Sequence, residues 1–332
     1  PDHPVLIDHF LRRAIEVDVD CVADGREAVV AGIMEHIEEA GVHSGDSACS
    51  LPPYSISPEV VAEIERQTIL MALALGVKGL MNVQFAVQGQ DIFILEVNPR
   101  ASRTVPFVAK ATGVPFAKIA ARLMAGEMLS DTGPRARPQP KHIAVKEAVF
   151  PFEKFPGVDT VLGPEMKSTG EVMGLADSFP VAFVKAQDGA GTLLPVPGKW
   201  NVEQKALISV KDEDKALVVE PARRLLEMGI RICATEGTAL YLESQGIPVD
   251  RVRKVTQPRP HIVDAMKNRE IALVFNTTRD KKAQVDSFPI RRTALMMGIP
   301  YFTTVEGMKA AVEAMTVPAA TRFHCKALQD YY

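Results

Sequence analysis

The sequence predicts an α/β protein in which an antiparallel hairpin module precedes a doubly wound parallel sheet. Apolar and polar residues alternate along residues 79–103, which indicates two strands joined by a tight turn. A long amphipathic helix pattern precedes this hairpin. From residue 206 onward, short apolar strands alternate with helices, a pattern typical of a parallel sheet covered by helices on both faces.

Composition and charge describe an ordinary globular protein. The chain has 332 residues, enough for two domains, with 47% hydrophobic and 24% charged residues. Its net charge of -3 gives no electrostatic reason to bind nucleic acid or an anionic membrane. There is no apolar run long enough to span a bilayer and no signal peptide. Four cysteines without paired spacing indicate reduced thiols in a cytoplasmic protein.

Strand and helix patterns alternate in the first half of the chain. Residues 14–22 alternate acidic residues with valine and predict a strand. Residues 28–41 predict a strand that continues into a helix ending at Gly41. Ser57 and Pro58 are residue types favoured at a helix N-cap and first helical position. The predicted helices of this half span residues 57–76, 105–112 and 115–125.

The second half contains the predicted domain boundary. Residues 130–141 are a proline-rich connection, residues 146–175 are predicted to be irregular, and residues 189–200 indicate a boundary by their glycines and prolines. The predicted strands span residues 206–210, 230–235, 272–275 and 300–304. The predicted helices span residues 215–228, 238–245 and 292–297. The expected division is residues 1–129, 130–190 and 191–332.

The hairpin carries the strongest functional signal. Apolar residues occupy its odd positions, namely Met81, Val83, Phe85, Val87, Phe93, Leu95 and Val97. A three-residue turn over residues 89–91 would pair Gln84 with Glu96 and Asn82 with Asn98. This register places the polar side chains on one face and the odd apolar side chains on the other, and a slip by one residue would exchange the faces.

The polar face of the hairpin predicts a metal site. Glu96, Asn98 and Gln84 form a cluster of oxygen ligands suited to a hard divalent cation. Arg100 follows in the next loop as a phosphate partner, so the combination indicates chemistry on a magnesium nucleotide. The alternative is a polar face that is merely solvated. Three apolar residues on the same face favour cover over solvation, and hence the metal site. They are Ala86, Ile92 and Ile94.

Hydroxyl and amide groups follow three predicted strands of the C-terminal sheet. They lie in residues 235–238, 276–278 and 303–304. Ligands of open sheets bind outside the carboxyl ends of the strands, and a helix that begins at Thr238 favours an anion. Lys215 and Lys254 can add positive charge. We therefore predict a phosphate or carboxylate pocket that binds without catalysing, whereas each group taken alone is better explained as a helix cap or turn residue.

Three sequence strings resemble the large subunit of carbamoyl phosphate synthetase. They are FILEVNPRASRTVPFVAKATGVPFAKIAARLMAG at residues 93–126, AGVHSGDSACSLPP at residues 40–53 and PGVDTVLGPEMKSTGEVMG at residues 156–174. The resemblance covers the C-terminal part of that subunit. It implies a partial ATP-grasp α+β module, truncated at its N-terminus, followed by a methylglyoxal-synthase-like allosteric domain with a doubly wound parallel sheet.

The resemblance implies that ATP phosphorylates carbamate to carbamoyl phosphate, a precursor of pyrimidines and arginine. It implies two Mg²⁺ or Mn²⁺ ions and allows for K⁺. Gln84 and Glu96 match the ligands of one ion, and Glu96 and Asn98 match those of the other. Arg100 and Arg103 match residues that contact the phosphoryl groups. The remaining matches to ATP contacts are His9, Leu11, Glu16, Gly41, Val42, His43 and Ser44.

The resemblance also implies two effector sites. The residues that match a pocket for a nucleotide monophosphate such as UMP or IMP are Lys215, Thr235, Thr238, Lys254, Asn276 and Thr278. Those that match an ornithine site are Glu38, Asp46, Glu147, Tyr301 and Thr303. The implied partners are a glutaminase small subunit and further copies of the chain in a homo-oligomer.

The chain departs from the family pattern in two ways. It begins at Pro1, without the earlier subdomain that closes an ATP-grasp site, so we expect a fragment or processed chain that is inactive alone. The loop over residues 189–204 is longer than the family leads us to expect. Two alternatives stay open: another ATP-grasp ligase, such as a biotin-carboxylase-like enzyme, and a regulatory fragment that binds a nucleotide monophosphate without turnover.

Overall fold

A computed structural model describes residues 4–5, 7, 11, 13–155, 158–196, 198–201, 203–278 and 281–332. The chain forms two compact units. The first comprises Pro1–Ser44 and Leu51–Gln139, and the second comprises Gly45–Ser50 and Pro140–Tyr332. The three-part division expected from the sequence stays a prediction. In the described ranges, no helix has both the length and the apolar character needed to cross a bilayer.

In its described residues, the first unit contains an antiparallel sheet and four helices. Its strands are β1 (Ile15–Asp24), β2 (Ala28–Glu39), β4 (Lys78–Gln88) and β5 (Asp91–Asn98), and the short β3 (Cys49–Leu51) lies between β2 and β4 in the sequence. Its helices are α1 (Pro58–Ala74), α2 (Val105–Thr112), α3 (Phe116–Met124) and α4 (Leu129–Thr132). The four longer strands lie in the order β5-β4-β1-β2.

Helix α1 begins and ends as the sequence predicts. Ser57 has extended backbone angles, its hydroxyl accepts the N–H of Val60 at 3.4 Å, and Pro58 occupies the first helical position. Gly76, with φ of +60°, takes the left-handed conformation just after the helix. The predicted helices at α2 and α3 and the predicted strand at β1 are confirmed as well.

Strand β2 corrects the prediction of a helix before Gly41. Residues 28–39 form one strand that pairs with β1 along most of its length. The local sequence MEHIEEA contains good helix formers, but pairing with a buried neighbouring strand outweighs this preference. As a consequence, His36 belongs to a sheet rather than to a helix.

The core of the first unit lies on one face of the sheet, against α1. Val17, Val19, Val83 and Phe85 are fully buried there together with Ile64 of α1. Because side chains alternate along β1, the acidic residues between these valines lie on the opposite face. They are Glu16, Asp18 and Asp20.

The hairpin of β4 and β5 has the predicted pairs but not the predicted turn. Gln84 pairs with Glu96, and Asn82 pairs with Asn98. The turn is two residues long, because Gln88 pairs with Asp91, and the register shifts by one residue where Leu95 bulges out of β5. Gly89 takes a φ of +64°, a conformation that two-residue turns often require.

The bulge changes which apolar side chains of β5 face the core. Ile92, opposite Val87, packs against the core, whereas Phe93 and Leu95 are 38% and 49% exposed. The prediction that Phe93 and Leu95 share the core face is therefore wrong. At the C-terminal end of β5, Glu96 and Asn98 lie on the predicted polar face. The bulge at Leu95 returns the pairing with β4 to the predicted register before Glu96.

The second unit contains a hairpin and a parallel sheet. The hairpin strands are β6 (Ile143–Val149) and β7 (Gly170–Ala176), followed by α5 (Phe179–Gly189). The sheet strands are β8 (Lys205–Ser209), β9 (Arg231–Thr235), β10 (Asp250–Val252), β11 (Ile271–Asn276) and β12 (Tyr301–Phe302). The remaining helices are α6 (Val219–Glu227), α7 (Glu236–Ser244), α8 (Ile262–Lys267), α9 (Lys281–Met296), α10 (Val305–Met315) and α11 (Ala319–Arg322).

The predicted parallel sheet is confirmed. Its strands lie in the order β10-β9-β8-β11-β12, and every neighbouring pair is parallel. No element was predicted at α5, β10, α8 or α10, and the stretch that contains most of β6 and β7 was predicted to be irregular. The long glycine- and proline-rich connection between these two strands hides their hairpin, which forms through pairs such as Lys146 with Met173.

Gly174 of β7 tests the close packing of this hairpin on α5. A Cβ atom at this position would lie 2.0 Å from the carbonyl oxygen of Ala182 and 2.6 Å from the backbone nitrogen of Ala186. Because backbone atoms cannot move aside cheaply, we expect Gly174→Ala to lower the free energy of unfolding by at least ~2 kcal/mol. Gly170→Ala on the same strand meets no atom within 4 Å and is the matched control. Equal thermal and denaturant stability of the two variants would contradict the packing.

Candidate functional site

Two rows of polar side chains cross the sheet of the first unit on the face opposite the core. β1 aligns with β4, and β4 aligns with β5, so each row takes one residue from each strand. The rows are Asp18–Gln84–Glu96 and Asp20–Asn82–Asn98. Directly opposed side chains in antiparallel strands have Cβ atoms about 4.5–5.5 Å apart, so each row brings its polar groups together.

Glu96 and Asn98, at the outer ends of the rows, form a set of oxygen ligands together with Gln84 of β4. Asn98 Nδ2 donates to Glu96 Oε1 at 2.6 Å, and Gln84 Nε2 donates to the hydroxyl of Ser44 at 3.3 Å. Glu96 is exposed, so its carboxylate is open to a ligand. One carboxylate and two amides fit Mg²⁺ or Mn²⁺, which prefer oxygen ligands. Across the residues that the structure describes, no three His, Cys, Asp or Glu side chains form a metal site, so an ion here would also need the amides.

Glu16 is a buried carboxylate beside this donor set. It is only 5% exposed, and its Oε2 accepts the N–H of Gly41 at 3.3 Å. Burial raises the pKa of Glu16 above its ordinary value; the charge of His36 opposes this rise, and the charges of Asp18 and Glu96 add to it. The contact with Gly41 ties β1 to the loop that contains Ser44, so Glu16, Ser44 and the hairpin face border one region.

Three inner members of the rows, Asp18 and Asp20 of β1 and Asn82 of β4, belong to a buried hydrogen-bond network. His36 Nε2 and Asp18 Oδ2 are 3.0 Å apart, and Asn82 Nδ2 donates to Asp18 Oδ1 at 3.3 Å and to Asp20 Oδ1 at 3.0 Å. Two hydroxyl groups donate to Asp20 at 2.6 Å each, those of Ser102 and Thr104. Sequence reasoning missed this network because it placed His36 in a helix. The acidic residue at every second position of β1 was the sequence signal that could have predicted the network.

The other predicted nucleotide residues lie near the same elements. Arg100 follows β5, is exposed, and donates through Nη1 to the carbonyl oxygen of Ala101 at 3.1 Å. Arg103 is also exposed, one residue before Thr104. The residues from Gly41 to Ser44 form the turn after β2, and Leu11 precedes β1. His9 lies outside the described residues.

A cavity of about 310 Å³ opens at the carboxyl edge of the parallel sheet. Four of the six predicted effector residues line it, namely Thr235, Lys254, Asn276 and Thr278. The hydroxyl groups of Ser209 and Thr235 are 3.1 Å apart, and Asn276 Nδ2 donates to the carbonyl oxygen of Ser209 at 2.9 Å. The ends of β8, β9 and β11 therefore meet in one polar pocket, to which Lys211 adds a second cation.

Two predicted effector residues do not line this cavity. Thr238 is 2% exposed, and its hydroxyl accepts a hydrogen bond from the backbone N–H of Val210 at 3.3 Å. Lys215 forms an ion pair with Asp212, a lining residue, at 2.7 Å. Thr304, at the third predicted strand end, caps α10 by accepting the N–H of Gly307 at 3.0 Å, so the interpretation as a cap holds there.

The predicted ornithine residues occupy separate structural settings. Asp46 is 1% exposed and accepts two backbone N–H groups, those of Lys167 and Ser168. Glu147 of β6 accepts Gln187 Nε2 at 2.6 Å. The other three residues are half-buried, namely Glu38 on β2, Tyr301 on β12 and Thr303 after β12. Their shared role in an effector site stays a prediction.

Comparison with known families defines the class of the two parts. Residues 1–132 match the family described as "Carbamoyl-phosphate synthase L chain, ATP binding domain". Residues 217–303 match the family described as "MGS-like domain". The expected architecture, an ATP-binding part of the ATP-grasp type followed by a methylglyoxal-synthase-like domain, is thereby confirmed. A biotin carboxylase domain of a single-chain bacterial carboxylase aligns with 55% of this chain and 48% of its own, at 19% identity and a TM-score of 0.44.

Curated relatives narrow this class to one protein family. The chain is 56% identical over 99% of its length to the carbamoyl phosphate synthase large chain of Brucella suis biovar 1 (strain 1330). It is 56% identical over its whole length to that of Myxococcus xanthus (strain DK1622). The chain belongs to the carbamoyl phosphate synthase large chain family, and it spans 28% and 30% of the length of these two relatives.

Asp20 gives the network a testable pH dependence. Burial raises its pKa from the ordinary 3.8 to about 6, although hydrogen bonds from Ser102, Thr104 and Asn82 lower it. Since the pKa of Asp20 is higher in the folded than in the unfolded protein, its protonated form stabilises the fold. This contribution to the free energy of unfolding is complete below pH 3.8 and is lost as the pH rises through about 6.

We expect Asp20→Asn to remove this dependence. The stability of the parent relative to the variant should fall by about 2–3 kcal/mol between about pH 4 and about pH 7. Urea unfolding at both values, followed by circular dichroism, measures the difference. Asp91→Asn at the exposed start of β5 is the control and should show no such change. A difference for Asp20→Asn that stays constant with pH would contradict the raised pKa.

Proposed function

We propose that the first unit contributes to the ATP-dependent phosphorylation of carbamate, the reaction that yields carbamoyl phosphate and ADP. The observation that carries the proposal is the pair of polar rows that end in Glu96 and Asn98, with Gln84 beside Glu96 on β4. Phosphoryl transfer needs divalent cations and positive side chains around the transferred group, and this face supplies oxygen ligands with Arg100 and Arg103 in the following loop.

Each group has a role that its surroundings support. A buried carboxylate needs hydrogen-bond donors, and the hydroxyl groups of a ribose would give Glu16 a second kind of donor beside the Gly41 N–H. Gln84 and Glu96 would hold one ion, and Glu96 and Asn98 would hold the other. When bound, the ions neutralise phosphate charge. Arg100 and Arg103 would orient the γ-phosphoryl group through bidentate hydrogen bonds.

The second unit is proposed to regulate this reaction by binding a nucleotide monophosphate such as UMP or IMP. The support is the cavity at the carboxyl edge of the sheet, where open sheets bind ligands. Lys254 and Lys211 supply positive charge for a phosphate, and the hydroxyl and amide groups of Thr235 and Asn276 supply hydrogen bonds. Lys215 and Thr238 would act indirectly, by holding Asp212 and the backbone of Val210.

This regulatory binding is also the second candidate function for the chain by itself. The cavity lies within one compact unit and does not depend on the hairpin face of the other. A chain that binds the effector but does not turn over ATP would fit this candidate. The two functions are separable, because one is tested at Glu96 and the other at Lys254.

Glu96→Gln tests the metal ligands in a full-length large chain that carries this sequence. Replacing the only carboxylate of the donor set should lower ATP synthesis from carbamoyl phosphate and ADP by at least ~100-fold, since even the outer partners of metal ligands cost 10- to 100-fold. Bicarbonate-dependent ATP hydrolysis should be largely retained. Glu27→Gln, an exposed residue between β1 and β2, is the control. Unchanged ATP synthesis by Glu96→Gln would contradict the assignment of Glu96 as a metal ligand.

Lys254→Gln tests the effector cavity. Removing a charge-assisted hydrogen bond to the phosphate should weaken the binding of UMP or IMP by about ten-fold or more in calorimetric titration. Lys267→Gln on α8, which makes the same charge change outside the cavity, should bind as the parent does. If the parent releases no heat with either nucleotide, or if both variants bind equally well, the nucleotide proposal fails.

A further inference from the structure

A second cavity, of about 540 Å³, lies at the opposite edge of the parallel sheet. Its lining includes Gln204 just before β8, Ile271 at the start of β11 and Pro300 just before β12. These are the amino ends of the strands, whereas the effector cavity lies at their carboxyl ends. A five-residue strand such as β8 spans about 16 Å, so the two cavities are distinct sites in one domain.

The floor and one wall of this cavity suit an aromatic ring. Met266, Met296 and Met297 line it, and methionine sulfur makes favourable contacts with ring edges. Trp200, the single tryptophan of the chain, forms part of the wall. Its indole N–H donates to the carbonyl oxygen of Gln204 at 3.1 Å, which holds the ring in place as a flat stacking surface.

The rim of the cavity is positive. Lys199 and Arg269 are exposed lining residues, and the described lining contains no carboxylate. Neither side chain forms an ion pair with any residue in the described ranges. Both cations are therefore available to an anionic group, and such charge-assisted hydrogen bonds are among the stronger ones in proteins.

The backbone at Arg269 supports a role for its side chain. Its φ of +61° is in the left-handed region, which glycine adopts at less cost than arginine. The carbonyl oxygen of Arg269 accepts Gln204 Nε2 at 3.2 Å, so the same glutamine contacts both Trp200 and Arg269. Gln204 thus connects the stacking surface to the cation, and the two lie on one rim.

We propose that this cavity binds a small molecule in which a flat aromatic ring system carries one anionic group. The volume lies within the range of about 300–1,000 Å³ that is typical of small-molecule sites. The ring packs between Trp200 and the methionines, and the anionic group contacts Lys199 and Arg269. This site does not depend on either proposed function.

The test uses the 332-residue chain and anilinonaphthalene sulfonate, an aromatic sulfonate whose emission rises in apolar surroundings. Because Trp200 is the single tryptophan, energy transfer from indole to the probe reports a probe bound near this ring, and the variants below assign it to this cavity. We expect saturable transfer with one probe per chain, unaffected by UMP or IMP. The neutral analogue phenylnaphthylamine has the same rings without the sulfonate and should bind at least about five-fold more weakly.

Two variants separate the charge from the apolar contacts. Lys199→Gln and Arg269→Gly should each weaken the sulfonate at least about five-fold and change the neutral analogue less than about two-fold. Arg269→Gly suits the left-handed backbone, so loss of folding does not confound it. Lys309→Gln, an exposed lysine of α10, is the control. Absence of saturable transfer, equal binding of both probes, or variants that bind the sulfonate as the parent does would overturn the proposal.

Discussion

The first unit depends on the burial of three carboxylates on one face of β1. Valines fill the other face, so strand alternation leaves Glu16, Asp18 and Asp20 on the same side, away from the core. A buried carboxylate is costly unless other groups donate to it or neutralise it. The partners come from β2, the turn after β2, β4 and the segment before α2.

This constraint connects the core to the candidate site. Asp20 accepts the hydroxyl groups of Ser102 and Thr104, which fixes the chain just after the hairpin. Arg103 lies between these two anchored residues, and Arg100 lies two residues before the first. The exposed arginines therefore project from a backbone held by buried hydrogen bonds, which limits the freedom they would lose on binding a phosphate.

The sequence predicts the paired residues of the site better than it predicts the hairpin that contains them. Gln84 pairs with Glu96 as expected because the alternation of polar residues reports the register at the site itself. The turn length was wrong because a bulge at Leu95 adds the missing residue, and such a bulge has no local sequence signature here. His36 could not be predicted, since its neighbours favour a helix and only pairing with β1 makes them a strand.

The same limits apply in the second unit. Repeated strand and helix patterns sufficed for the parallel sheet, because each pattern is local. The strand ends at Thr235 and Asn276 could be assigned to one edge, since parallel strands share their carboxyl side. Whether a threonine there faces the cavity or caps a helix depends on packing, so the sequence could not show that the Thr238 hydroxyl contacts Val210 or that Thr304 caps α10.

The bulge at Leu95 also bears on the solubility of the folded chain. β5 is the last strand at its end of the sheet, and Phe93, Ile94 and Leu95 leave apolar surface exposed along it. A regular strand of this composition would offer a template on which a second chain could add a strand. The extra residue interrupts the row of backbone donors and acceptors at the apolar stretch. The irregularity that brings Glu96 into register thus also protects the sheet against edge-to-edge aggregation.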